Sequence, residues 1–134
     1  MLKKFNPDWE KRNSLINPYA KADIIGQDLD HIRFEELPVD VLKELVKLKL
    51  ADPEETQNES PTIAEFIEYM EKYSSAKAHG YIISFARDDY RVSVEGITQQ
   101  ATRCDLETRK EFFKFFRYAD ELDPFSEIMR CWYD

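Results

Sequence analysis

Glycine is scarce: the chain holds Gly26, Gly80 and Gly96 and no others. Phosphate-cradling loops and dinucleotide-binding turns need clustered glycines, so both fingerprints are absent. Cysteine is scarce as well. Cys104 and Cys131 are too few for a disulfide framework and have no metal-ligand spacing. They read as reduced, buried thiols of an intracellular protein. No serine sits in a G-x-S-x-G elbow, and neither CxxC nor HExxH occurs. No apolar run approaches the roughly 20 residues that span a bilayer. The lysines of MLKKFNPDWEKRN lack the apolar stretch of a secretory signal behind them. The expectation is a cytoplasmic protein that binds no membrane. Positive charge is short too, with 19 Lys and Arg against 27 Asp and Glu and a formal net charge of −8. Phosphate neutralisation needs clustered cations, so nucleic-acid binding is not expected.

What is present supports a core. The 134 residues are 43% hydrophobic and include nine Phe, seven Tyr and two Trp. A chain of this length forms one domain, residues 1–134, and buries roughly two thirds of its unfolded surface. Charged residues make up 34% but are mixed in sign, unlike a disordered chain. One local excess stands out: seven acids and no base lie between Ala51 and Glu71. They read as a solvated linker and helix face, or as a patch for a basic partner.

The clearest pattern is AHGYIISFARDDYRVSVEGI, residues 78–97. Tyr81, Ile83 and Phe85 alternate with Ile82 and Ser84. Beyond the polar Arg87-Asp88-Asp89, Tyr90, Val92 and Val94 alternate with Arg91, Ser93 and Glu95. Period-two alternation on both sides of a turn predicts a β-hairpin. Pairing Phe85 with Tyr90, Ile83 with Val92 and Tyr81 with Val94 gathers six large apolar side chains on one face. A two-stranded ribbon is marginal alone, so helices must cover that face. The predicted fold is α+β: a mostly helical single domain packed on a central antiparallel β-hairpin, with room for a third short strand at His31–Glu35.

The flanking segments supply the helices. Asn6-Pro7 and Asn17-Pro18 suggest short helices at 7–15 and 18–25, and residues 1–26 read either so or as a peripheral arm. A helix is predicted from Pro38 to about Leu50, with Val39, Leu42, Leu45, Val46 and Leu48 inward. Another begins near Ser60-Pro61, with Thr62 and Glu65 spaced for a capping box and Ile63, Phe66, Ile67 and Met70 on one side. Asp105 suits the cap of a helix reaching about Leu122. Its apolar stripe, from Phe112 to Leu122, covers roughly half the circumference, more than one packed side needs. Phe125, Ile128, Met129 and Trp132 fit a last amphipathic helix.

Candidate sites are few. Asp28, Asp30 and His31 are weak candidates for a metal site, since their spacing matches neither a calcium loop nor a zinc site. His79 reads as a structural histidine at a strand start. Arg87, Asp88, Tyr90 and Arg91 form a charged hairpin tip of the kind enriched at interaction surfaces. The broad aromatic helix at Phe115, with Trp132, leaves apolar surface for another protein or a second copy of the chain. The leading expectation is a small non-catalytic protein-interaction or regulatory module, leaning away from an enzyme and needing no cofactor. One alternative is an acidic nucleic-acid mimic inhibiting a DNA-binding enzyme. The other is a metal-dependent enzyme of unfamiliar type, for which Asp28, Asp30, His31 and His79 must converge.

Overall fold

A computed structural model describes residues 9–20, 31–83, 90–102 and 105–133. Helix α1 (Trp9–Ile16) leads into a 3-10 turn at Asn17–Tyr19, and strand β1 (His31–Leu37) is followed by α2 (Val39–Lys47) and α3 (Ile63–Lys72). Strands β2 (Ala76–Ile83) and β3 (Arg91–Gln100), helix α4 (Leu106–Phe115) and strands β4 (Glu121–Asp123) and β5 (Ile128–Trp132) complete the order. The five strands form one antiparallel sheet in the order β1-β2-β3-β5-β4.

This corrects the expected helical domain on a hairpin. The β2–β3 pair is the middle of a five-stranded sheet, not an isolated ribbon. The segment around Trp132, expected as helix, is strand β5 beside β3. Its apolar residues satisfy both periods: Phe125, Ile128, Met129 and Trp132 fit a helix, while Met129, Cys131 and Tyr133 alternate as a strand does. A short apolar run cannot decide between them. In the sheet Met129, Cys131 and Tyr133 are buried. Helix α4 ends at Phe115 rather than Leu122, and the chain turns into β4. Asn17–Tyr19 is a 3-10 turn, Ala20 is extended and bridges to Phe34, and residues 21–25 of the predicted helix lie outside the described residues.

Register is the second correction. Ile82 pairs with Val92 and Tyr81 with Ser93, one residue away from the predicted register. A slip of one turns every side chain to the other face. Ile82, Val92 and Val94 therefore face the helices, while Tyr81 and Ile83 do not join the main core cluster. The cause is an extra residue in β3: His79 pairs with Gly96 and Gly80 with Val94, leaving Glu95 as a bulge. Small residues on the inner side of β2 (Ala76, Ala78 and Gly80) make room for Phe34 of β1 and for the helices.

Local chemistry explains the helices. Thr62 and Glu65 form a complete capping box at the start of α3, each side chain bonding the other's backbone N–H. Asp105 accepts from the Thr108 N–H at 3.0 Å and caps α4. Leu42 and Leu45 of α2, Phe66 and Met70 of α3, and Phe112 and Phe116 of α4 share one cluster with Ile82, Val94, Ile97 and Cys131. Arg109 ties α4 to the strand ends. Its buried guanidinium donates to the carbonyls of Ala101, Thr102, Pro124 and Ser126 at 2.7–3.2 Å. Among the described residues, no helix is long and apolar enough to cross a membrane.

Two glycines are fixed by close approach. A Cβ at Gly80 would lie 1.9 Å from the Ser93 carbonyl oxygen, and one at Gly96 would lie 2.0 Å from that of Cys131. Both obstructions are backbone in neighbouring strands and cannot swing aside. Gly80→Ala and Gly96→Ala are each expected to lower unfolding free energy by more than about 2 kcal/mol in urea titrations. A loss below about 0.5 kcal/mol, the usual size of a surface change, would contradict the packing described for these strands.

Candidate functional site

The sheet has two unlike faces. Pairing places Arg33, His79, Tyr81, Ser93 and Trp132 opposite the side that meets the helices. A cleft of about 460 Å³ opens there, lined by His79, Trp132, Arg33, Arg130, Glu36 and Asp123 among others. Several of its charged and ring groups are already engaged. The Arg33 guanidinium forms an ion pair with the buried Glu95 at 3.0 Å. Arg33 and Arg130 lie 5.5 and 5.2 Å from the Trp132 ring, and His79 meets that ring edge-on at 5.5 Å. Asp123 accepts from the Ser126 hydroxyl and from the backbone N–H groups of Phe125 and Ser126, holding the β4–β5 turn.

His79 is the group most able to do chemistry, and its surroundings restrain it. Its Nε2 lies 3.1 Å from the Cys131 carbonyl oxygen, which can only accept, so this nitrogen carries the proton. Burial lowers the pKa to about 4, helped by the nearby charges of Arg130 and Arg33; the Cys131 carbonyl and Glu35 act in the other direction. Ser126 donates to Asp123 rather than to this imidazole. Nucleophile, base and orienting group are thus not brought into one line here.

The second concavity lies between α3 and α4. A groove of about 490 Å³ is lined by Tyr69, Tyr73, Phe115 and Tyr118, with Lys72, Lys114, Arg117, Glu68 and Glu111 around them. Helix α4 explains it. Phe112 and Phe116 turn inward and are fully buried; Phe116 stacks on Phe66 of α3, and both rings meet Tyr69 edge-on. Phe113, Phe115 and Tyr118 remain 51%, 37% and 71% exposed. Phe115 leans on Tyr69 with ring centroids 4.9 Å apart, forming one wall. The Tyr69 hydroxyl donates to Gln99 at 2.6 Å, and burial raises its pKa, so the groove floor is neutral and fixed. Lys72 and Glu111 bridge the two helices at 3.3 Å.

No protein-family model, curated protein or solved structure matches the chain.

Only some of the residues singled out in the sequence are described. Arg87, Asp88, Asp28 and Asp30 lie outside the described residues, and of His31 only its place at the start of β1 is described. Tyr90 is buried, with its hydroxyl donating to the Leu50 carbonyl at 2.6 Å. Arg91 lies over the Tyr81 ring at 5.4 Å and donates to its hydroxyl. Phe115 belongs to the groove and Trp132 to the opposite sheet face. Among the described residues, no group of three or more His, Cys, Asp or Glu could hold a metal ion. Sequence reasoning missed Tyr69, Tyr73 and Tyr118. For two of them the signal was present, since Tyr69 on α3 and Tyr73 at its C-cap lie four apart.

Two measurements check this account of the sheet face. A histidine whose folded pKa is about 4, against an ordinary 6.5, takes up its proton in the unfolded chain first. Its stabilisation is complete above pH 6.5 and falls as the pH drops toward 4. Wild-type protein should lose about 2 kcal/mol between pH 7 and pH 5 that His79→Gln does not lose, measured by urea unfolding. Parallel pH profiles for the two proteins would refute the assignment. Arg33→Met leaves the Glu95 carboxylate buried without its cation and should cost about 2–3 kcal/mol, part of which Glu95→Gln in the same chain restores.

Proposed function

We propose that this chain is a non-catalytic protein-interaction module of the cytoplasm, and that it meets its partner along the groove between α3 and α4. One observation carries the reading. The end of α4 and the turn after it present Phe115 and Tyr118 to solvent beside a concave floor of Tyr69 and Tyr73, although Phe112 and Phe116 already complete the core. Contiguous exposed aromatic surface beside a polar rim is the usual composition of a docking face. Tyrosine and phenylalanine bring large contact area with little side-chain freedom to lose. The absence of recognisable catalytic motifs in the sequence agrees with this reading. The cytoplasmic setting rests on cysteine usage, with Cys131 a buried free thiol.

The test is site-specific photocrosslinking in the native cell. A photoreactive residue at Tyr118 is expected to give a discrete covalent adduct. That adduct should disappear when Phe115→Ala, which costs about 1 kcal/mol of stability, is added. An absent adduct, or one indifferent to Phe115, would overturn the proposal. A second copy of the chain as the crosslinked species would make the module a self-associating one.

A further inference from the structure

The groove has a charge of its own, unlike that of the chain. Lys72 is tied to Glu111 at 3.3 Å, so these two largely cancel. Lys114 has no ion pair among the described residues. Arg117 donates to the Lys114 carbonyl at 3.3 Å and lies 4.8 Å from the Tyr118 ring centroid, with no carboxylate partner among the described residues. Against these two uncompensated cations the groove offers one uncompensated carboxylate, Glu68. A positive excess thus borders aromatic surface on a chain whose formal net charge is −8.

Resting on the interaction reading above, we propose that the partner is an acidic protein segment carrying an aromatic or branched aliphatic anchor. The anchor fills the groove between Tyr73, Phe115 and Tyr118, and the flanking carboxylates meet Lys114 and Arg117. Guanidinium and ammonium groups beside an apolar seat favour carboxylates on the incoming chain, and a basic segment would leave both cations facing like charge. The overall negative charge does not reverse this preference. At physiological salt the Debye length is about 8 Å, so charges on distant parts of the surface are screened and those bordering the groove decide. A second copy fits less well: its stretch 51–59, ADPEETQNE, offers no large apolar anchor, and in 120–128, which carries the exposed Phe125, Asp123 is engaged in holding the β4–β5 turn.

The experiment is selection of a random peptide library on the immobilised full chain, with counter-selection on Phe115→Ala. Enriched sequences are expected to combine Asp or Glu with an aromatic or branched aliphatic residue. Their affinity should fall about ten-fold or more in Lys114→Glu/Arg117→Glu, and much less in Lys47→Glu/Lys49→Glu, which changes net charge equally at the end of α2, outside the groove lining. Thermal midpoints of the four proteins establish that each is folded. Enrichment of basic or uncharged sequences that depend on Phe115 would overturn the acidic partner and leave the groove standing. No sequence distinguishing wild type from Phe115→Ala would overturn both.

Discussion

Three strands of this protein are tied together at one point. The His79 side chain, from β2, reaches across Gly96 of β3 to the carbonyl of Cys131 in β5. The reach depends on the missing side chain: a Cβ at position 96 would lie 2.7 Å from the imidazole Nε2 and 2.0 Å from the accepting carbonyl oxygen. Beside this crossing, the bulged Glu95 gives its carbonyl to the Tyr133 N–H at 2.7 Å and its carboxylate to Arg33. The extra residue displaces the register by one, which turns Val92 and Val94 inward with Ile82 and keeps Ile97 inward with Ala78 and Cys131. The helices pack on the surface so made. The polar face is the other consequence, since the same register points His79 and Trp132 away from them.

The helix side depends on aromatic contacts of several geometries. Phe66 stacks on Phe116 at 5.9 Å and meets Tyr133 edge-on at 6.4 Å, so α3, α4 and the end of β5 share one ring cluster. Arg109 lies on the same side of α4 as Phe112 and Phe116. Its five N–H donors reach only carbonyl oxygens, which satisfies them without a buried carboxylate. An arginine on an apolar stripe is therefore the fastener that orients α4, and with it the exposed side on which Phe115 and Tyr118 stand.

How much of this the sequence discloses follows from the range of each interaction. The capping box at Thr62–Glu65 and the Asp105 cap are legible because donor and acceptor lie three residues apart. The inner sides of α2 and α3 are legible from helical period. The strand pair at 81–94 is located but inverted on its first strand, because the bulge at Glu95 depends on close contacts with β5, distant in sequence. β5 itself is lost to an ambiguity of period over a short run. Arg109 leaves a signal, a lone cation at i, i+3 and i+7 with Phe112 and Phe116, but its carbonyl partners at Pro124 and Ser126 become visible only when the chain has turned back. Of the site, the surplus width of the α4 stripe is legible, and Phe115 with it. The opposing wall of Tyr69 and Tyr73 needs the packing of α3 against α4.

The two surfaces differ in what a ligand would have to displace. In the sheet cleft a newcomer competes with the Arg33–Glu95 ion pair, the His79–Cys131 hydrogen bond and two guanidiniums stacked against Trp132. Breaking a largely buried ion pair leaves a charge stranded in low dielectric, so that face resists rearrangement. In the α3–α4 groove, Phe115 and Tyr118 face water, and the Lys114 ammonium has no ion pair to surrender among the described residues. Covering apolar area there recovers about 25 cal/mol per Å² and breaks nothing first. Exposed aromatic surface also invites unspecific association, and it is the charges bordering the groove, rather than the screened net charge of −8, that select among the chains it meets.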